Sequence, residues 1–398
     1  MIRNALENSW RCIIVINPSF FKLSCMTYFT QLIRSNVRLN IFIVGLFYAF
    51  SPVTPLLSQN LSSKAIHAID SVCEHQLVAG NYVGLAVSIA SKDNSVWSKG
   101  YGYSNLENKV QVDPKDDLFR IGSVSKPVTA SALARLVEQG KLDLDAPISK
   151  YMDDLPADKA NLTLRQLAGH LGGIRHYRGL EFFSNVRYQN VIEPLGVFIN
   201  DTLLCEPGTK FNYSTYAWTL ISAVMESALE KPFLSIIEQE VSNPLQLTDL
   251  KGDHTDSTRY QRVQFYQFQN GNHVLSPPVD NSNKWAGGGL ICSAEDIAKY
   301  GYAHVGPGYL KEETLAEFTR GQKTNSGENT NYGIGFRSGT DKNERTWFGH
   351  SGGSVGGSSM MLIYPQEDLV VVTLVNQSGA DMGELAMRIA DLVLGMRE

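Results

Sequence analysis

The chain is 398 residues long, 43% hydrophobic and 19% charged, a globular composition with enough length for a large core. Its net charge of -5 carries no basic excess, so nucleic acid is not an expected partner. The five cysteines form no C-x-x-C pair and the eight histidines no H-E-x-x-H, so neither a disulfide framework nor a metal site is expected.

Residues 1–58 read as a signal-like or anchor segment with its linker, and 59–398 as one globular domain. No charge lies between Arg38 and Lys64, and Ile41 to Phe50 is apolar apart from Gly45. With Arg34 and Arg38 just upstream, the layout is that of an export signal, of more ordinary length if Met26 is the start. Pro52 opposes cleavage after Ala49-Phe50-Ser51, so membrane attachment through residues 39–57 stays open, although Pro52 and Pro55 argue against a full span. The expected location is periplasmic or secreted, with membrane anchoring as the alternative.

Helical periodicity runs from Ser63 to Val78, with Ile66, Ile69, Val72 and Cys73 on one side. Val83–Ala90 and Ser95–Tyr103 read as strands joined by the turn Lys92-Asp93-Asn94. A further helix ends at Glu138-Gln139, with Gly140 as its stop. The middle, 141–325, is rich in helical periods such as Ala217–Leu229 and Ala294–His304. Strands are expected again at Tyr332–Arg337, Thr346–His350, Ser358–Tyr364 and Leu369–Val375, then a helix over about Met382–Met396. Strands at both ends with helices between predict a two-lobed α+β architecture, its antiparallel sheet built from distant parts of the chain.

Three strings carry chemistry. Ser123-Val124-Ser125-Lys126 places a hydroxyl and an amine three residues apart at a helix start, on one face. Serine is a poor nucleophile until a base takes its proton, and lysine can be that base if burial and nearby positive charge depress its pKa. Pro127 is tolerable there only within the first helical turn. Tyr213, in Phe211-Asn212-Tyr213-Ser214-Thr215, opens an apolar helix and can act as general base if a lysine ammonium stabilises its phenolate. Gly349-His350-Ser351-Gly352-Gly353, at the end of an expected strand, lets substrate backbone approach and can present an N–H to an oxyanion. That string also matches the G-x-S-x-G nucleophile elbow. The elbow needs a helix after its serine and a later histidine, and none follows His350.

In this order and spacing the strings resemble the serine β-lactamase and penicillin-binding-protein superfamily, in its AmpC-like and esterase branch. Leu164–Ile174 and Trp285–Leu290 extend the likeness, and Ile174–Tyr177 and Asp280–Trp285 resemble a mitochondrial serine β-lactamase-like branch. The resemblance implies a β-lactamase/transpeptidase-like α+β fold with a large helical insertion over 59–398. It implies Ser123 as nucleophile, Lys126 as its partner and Tyr213 as the tyrosine base. It also implies an oxyanion hole from the Ser123 and Gly353 N–H groups, and substrate contacts at Thr215, His350, Ser351 and Gly352. Thr215 stands where the family has asparagine. His350 stands for a lysine, so a fixed charge there becomes conditional on pH. The expected activity is cofactor-free acyl transfer to water through an acyl-enzyme, on an amide or ester of a peptide or small molecule. A true β-lactamase is the alternative within enzymes. The other is a self-assembling scaffold with little turnover, since a relative in the mitochondrial branch forms filaments.

Overall fold

The computed structural model describes residues 61–80, 82–91, 95–255 and 261–396. The signal-like segment, the attachment segment 39–57 and the turn at 92–94 lie outside the described residues. Ser62 caps α1 (Ser63–Ala79), its hydroxyl accepting the Ala65 N–H. The hairpin β1 (Gly84–Ser91) and β2 (Ser95–Asn105) follows, then the short β3 (Val110–Gln111) and β4 (Phe119–Arg120). A 3₁₀ turn at Gly122–Val124 leads into α2 (Ser125–Glu138). The middle of the chain supplies α3 (Leu164–Ala168), α4 (Thr215–Leu229), β5 (Lys251–Gly252), the hairpin β6 (Tyr266–Gln269) and β7 (Asn272–Leu275), α5 (Trp285–Gly288), β8 (Leu290–Cys292) and α6 (Ala294–Tyr302). The last strands are β9 (Arg337–Thr340), β10 (Thr346–Ser354), β11 (Gly357–Tyr364) and β12 (Leu369–Val375), before α7 (Gly383–Gly395).

The main sheet has the order β3-β2-β1-β12-β11-β10-β9. Its neighbours are antiparallel, and the two ends of the domain meet where Leu85 pairs with Val375 and Ser91 with Leu369. This is the expected α+β sheet from N- and C-terminal strands. Leu85, Val87, Ile89, Val371 and Val375 face one way, onto Ile69 and Cys73 of α1 and Leu385 and Ile389 of α7. Ala86, Ala90, Val370, Val372 and Leu374 face the other, onto the core built with α2, α4 and α6. Covered on both faces, β12 reads as the continuous apolar run LVVVTLV rather than an alternation.

Two expectations are corrected. Tyr332–Arg337 is not a strand: Gly335 has φ +85° and the Gly333 N–H donates back to the Phe336 carbonyl, so the chain turns. Ile334 and Phe336 are both buried in the helical core, as strand residues two apart would be, but the backbone between them turns. The strand expected to stop at His350 continues to Ser354, so the glycine-rich string lies inside β10.

Candidate active site

The turn that carries Ser123 is fixed by its neighbours on both sides. The Ile121 N–H donates to the Leu290 carbonyl of β8 (3.2 Å), and the Ile121 carbonyl accepts from Ser359 Oγ of β11 (2.8 Å). Ser125 Oγ donates to the Gly122 carbonyl (2.7 Å) and accepts from the Leu290 N–H (3.2 Å). Gly122 has φ +51°, and a Cβ there would lie 2.7 Å from the Gly353 nitrogen. Only glycine lets the turn sit this close to β10. Behind it a buried ionic cluster joins β4 to β5: Asp253 accepts from Arg120 Nε (2.7 Å), Arg262 Nη1 (2.8 Å) and Asn281 Nδ2 (2.6 Å). Arg120 Nη1 also donates to the Val355 carbonyl (2.7 Å) at the β10–β11 turn.

The structure brings Ser123, Lys126, Tyr213 and Thr215 together. Pro127 lies in the first turn of α2, where its missing N–H leaves no helical bond unmade. Lys126 is fully buried, and its Nζ lies 3.0 Å from Ser123 Oγ, 3.2 Å from Thr215 Oγ1 and 2.5 Å from the Gly287 carbonyl. No carboxylate is among these partners. Burial, then the charges of Arg337 and Lys284, hold its pKa well below the usual lysine value, which favours a neutral amine with a lone pair for the serine proton. Tyr213 Oη donates to Ser123 Oγ at 2.9 Å. Burial pushes this phenol up to about 12 despite the Ser123 hydrogen bond and the Arg337 charge. Beside Ser123 the group with the depressed pKa is thus Lys126, whereas the Tyr213 phenol is raised.

The expected substrate contacts divide. Ser351 and Gly353 are exposed on β10, beyond Gly349, where its pairing with β9 ends. A Cβ on Gly352 would lie 2.1 Å from the Ile121 carbonyl, so this position too needs glycine. Thr215 is buried, its hydroxyl turned to Lys126 rather than to a groove. His350 is likewise buried, with Nε2 2.9 Å from Tyr332 Oη and Nδ1 2.6 Å from the Ser351 carbonyl. Burial, with the Arg337 charge acting the same way, keeps this imidazole well below the usual histidine range. His350 is therefore no pH-conditional cation facing substrate, because its ring is enclosed and both nitrogens are engaged.

Other groups here were given no role from the sequence. Arg337 is exposed, its guanidinium 5.6 Å from the Tyr213 ring centre and 5.7 Å from that of Tyr332. Lys284 is buried, donating to the Phe182 carbonyl (3.1 Å) and lying 5.2 Å from the Tyr177 ring centre. Burial brings it down to about 8. Gly287 contributes only a carbonyl, within a string noted for its resemblance alone. The charges of Arg337 and Lys284, which act on Lys126 beside Ser123, favour negative charge developing on a bound carbonyl.

The beta-lactamase family model matches residues 69–394. The human serine beta-lactamase-like protein LACTB, mitochondrial, is 28% identical over 77% of this chain and 76% of its own length. Among solved structures, the octameric penicillin-binding protein homologue from Pyrococcus abyssi superposes with a TM-score of 0.73 at 24% identity, over 83% of this chain and 77% of that one. The D-amino acid amidase from Ochrobactrum anthropi SV3 gives 0.73 at 20% identity, over 84% of this chain and 100% of that one. At such identities these two likenesses are of fold. A family match that spans nearly the whole described domain, on a fold shared with those structures, makes the chain a member of the beta-lactamase family.

Proposed function

We propose that the protein is a serine acyl hydrolase that cleaves amide or ester bonds through an acyl-enzyme. The observation that carries this reading is that Lys126 Nζ and Tyr213 Oη both meet Ser123 Oγ, at 3.0 and 2.9 Å. Ser123 Oγ attacks the carbonyl carbon as its proton passes to the neutral Lys126 amine. The Ser123 and Gly353 N–H groups receive the oxyanion. Tyr213 gives its proton to the leaving nitrogen or oxygen, and the Lys126 ammonium, 4.8 Å from its ring centre, stabilises the phenolate. Water then attacks the acyl-enzyme, its proton goes to the phenolate, and Ser123 regains its own from Lys126.

The exposed Arg337 at the site supports substrates that carry a carboxylate, and peptides or small esters are the favoured class. The Ochrobactrum relative's amidase activity supports amide chemistry, and the Pyrococcus relative's octamer supports self-assembly. Export rests on the layout of residues 34–50. A fluorophosphonate probe tests the central claim: wild type should be labelled, and Ser123→Ala neither labelled nor able to hydrolyse p-nitrophenyl acetate. A folded wild type that takes no label would mark a scaffold instead.

A further inference from the structure

Two histidines given no role so far hold the stretch of chain that presents Tyr213. Residues 212–215 lead into α4, and the first N–H groups of a helix find no acceptor within it. Here two of them donate to imidazoles: the Ser214 N–H to His170 Nδ1 at 3.1 Å, and the Thr215 N–H to His176 Nδ1 at 3.2 Å. The surrounding backbone reinforces the join. The Asn212 N–H donates to the His170 carbonyl (2.8 Å), and Ser214 Oγ to the Arg175 carbonyl (2.6 Å). The His170 ring also lies against Tyr213, with ring centres 4.4 Å apart, and its own backbone is held at φ +60°, where side-chain-bearing residues are disfavoured.

We infer that His170 and His176 are positioning residues for Tyr213 and Thr215, working only as neutral imidazoles whose Nδ1 lone pairs fix the entry to α4. The inference rests on the reading of Tyr213 as a proton-transfer residue of Ser123. A nitrogen that accepts a hydrogen bond carries no proton, so both rings must be the Nε2–H tautomer. An imidazolium carries N–H on both nitrogens and would set donor against donor. The charges around both rings disfavour a second proton, although His170 Nε2 is buried with no acceptor among the described residues. His170 faces Lys126, His350, Arg337 and His176, and packs on Tyr213 and Tyr332. His176 faces Lys126, Lys284 and Glu181, and packs on Tyr177 and Tyr213. Glu181 is the one acid there, and its carboxylate is already paired with Arg175. Burial and the cations hold His170 well below its usual range and His176 at about 4.

Paired substitutions separate accepting from packing. Asparagine sets an amide oxygen near the place of Nδ1 and does not titrate, whereas phenylalanine keeps a ring and removes the acceptor. With p-nitrophenyl acetate at pH 8, His170→Asn and His176→Asn should keep kcat within about threefold. His170→Phe and His176→Phe should lose about tenfold or more, with KM moving less than about threefold. Long-range 1H–15N NMR of histidine-labelled wild type should find both rings neutral and protonated on Nε2 from pH 8 to about pH 5. The inference is overturned if the phenylalanine variants match wild type, if both substitutions lose alike, or if either ring carries a proton on Nδ1. Should the phenylalanine variants fail to fold, the tautomer measurement on wild type decides. Tyr213→Phe is the control. If it leaves activity unchanged, the reading of Tyr213 has failed; if it is inactive while the phenylalanine variants are not, only the positioning role has.

Discussion

Lys126 spends its nitrogen on two hydroxyls and a carbonyl, with no carboxylate to hold a proton there. Removing a nearby positive charge makes protonation easier, so the folded pKa of Lys126 must rise. Arg337 is its largest charged influence and is exposed, so Arg337→Gln should leave the fold intact. The acid limb of kcat/KM for p-nitrophenyl acetate should then move to higher pH, and an unmoved limb would contradict the neutral-amine assignment. Lys126→Met and Tyr213→Phe should each lower kcat by about 10²-fold or more, as proton transfer is lost. Since both act on one oxygen, the double variant should be little worse than the poorer single one; multiplicative losses would assign them separate tasks. The Ser123–Lys126 pair was legible because its spacing is local, and Tyr213 because its string, just before a helix, recurs in the order the resemblance requires. Arg337, Lys284 and the Gly287 carbonyl were not, because only tertiary contacts bring them near, and neither a lone cation nor a backbone carbonyl leaves a mark in the sequence. For His350 the string suggests a charge conditional on pH, whereas burial, which no string records, disfavours that charge.

The meeting of the Gly122–Val124 turn with β10 is where backbone geometry matters most. Alanine at Gly122 would be strained at φ +51° and would press its Cβ onto the Gly353 nitrogen at 2.7 Å. Gly122→Ala should thus lower stability by about 1–3 kcal/mol. On the proposed role of the Gly353 N–H in the oxyanion hole, its displacement should reduce kcat by about 10²-fold or more. Thermal melts together with kcat on the ester check both, and a variant that loses stability but keeps kcat would remove Gly353 from the oxyanion hole. Element boundaries were legible wherever one pattern held throughout, helical in α1 and α7 and continuously apolar in β12. The turn at 332–337 was not, because Ile334 and Phe336 alternate as strand residues do while the intervening Gly335 takes a left-handed φ. That turn also sets Arg337 beside Tyr332, so the element hardest to read is the one that places the site's exposed cation.

At the scale of the whole molecule, neutral histidines are buried in both the site and the helical core. His304 bonds Ser131 Oγ through Nε2 and the Tyr300 carbonyl through Nδ1, each at 2.8 Å, so it ties α2, which carries Lys126, to α6. Burial lowers it to about 4, and His176 also to about 4, while His170 and His350 are depressed well below the ordinary value. A histidine with a depressed folded pKa takes up its proton first in the unfolded chain. The stability linked to that neutrality is present in full above about 6.5 and drains away as pH falls toward the folded value. For the fully buried His304 the loss by pH 5 is about 2 kcal/mol. The depressed carboxylates Asp70, Asp341 and Asp391 give way only at more acid pH, and the raised Asp117, Glu226 and Asp249 act in the opposite sense. The interval from about 6.5 to 5 therefore belongs to the histidines together with the depressed Lys126, which also takes up its proton first in the unfolded chain. The melting temperature should fall steadily from pH 7 to pH 5. His304→Gln should start lower at pH 7, where it loses the Ser131 and Tyr300 bonds, and should fall less steeply because one titrating ring is gone. A flat wild-type profile, or a His304→Gln profile as steep as wild type, would show that these rings are not what couples the fold to acid.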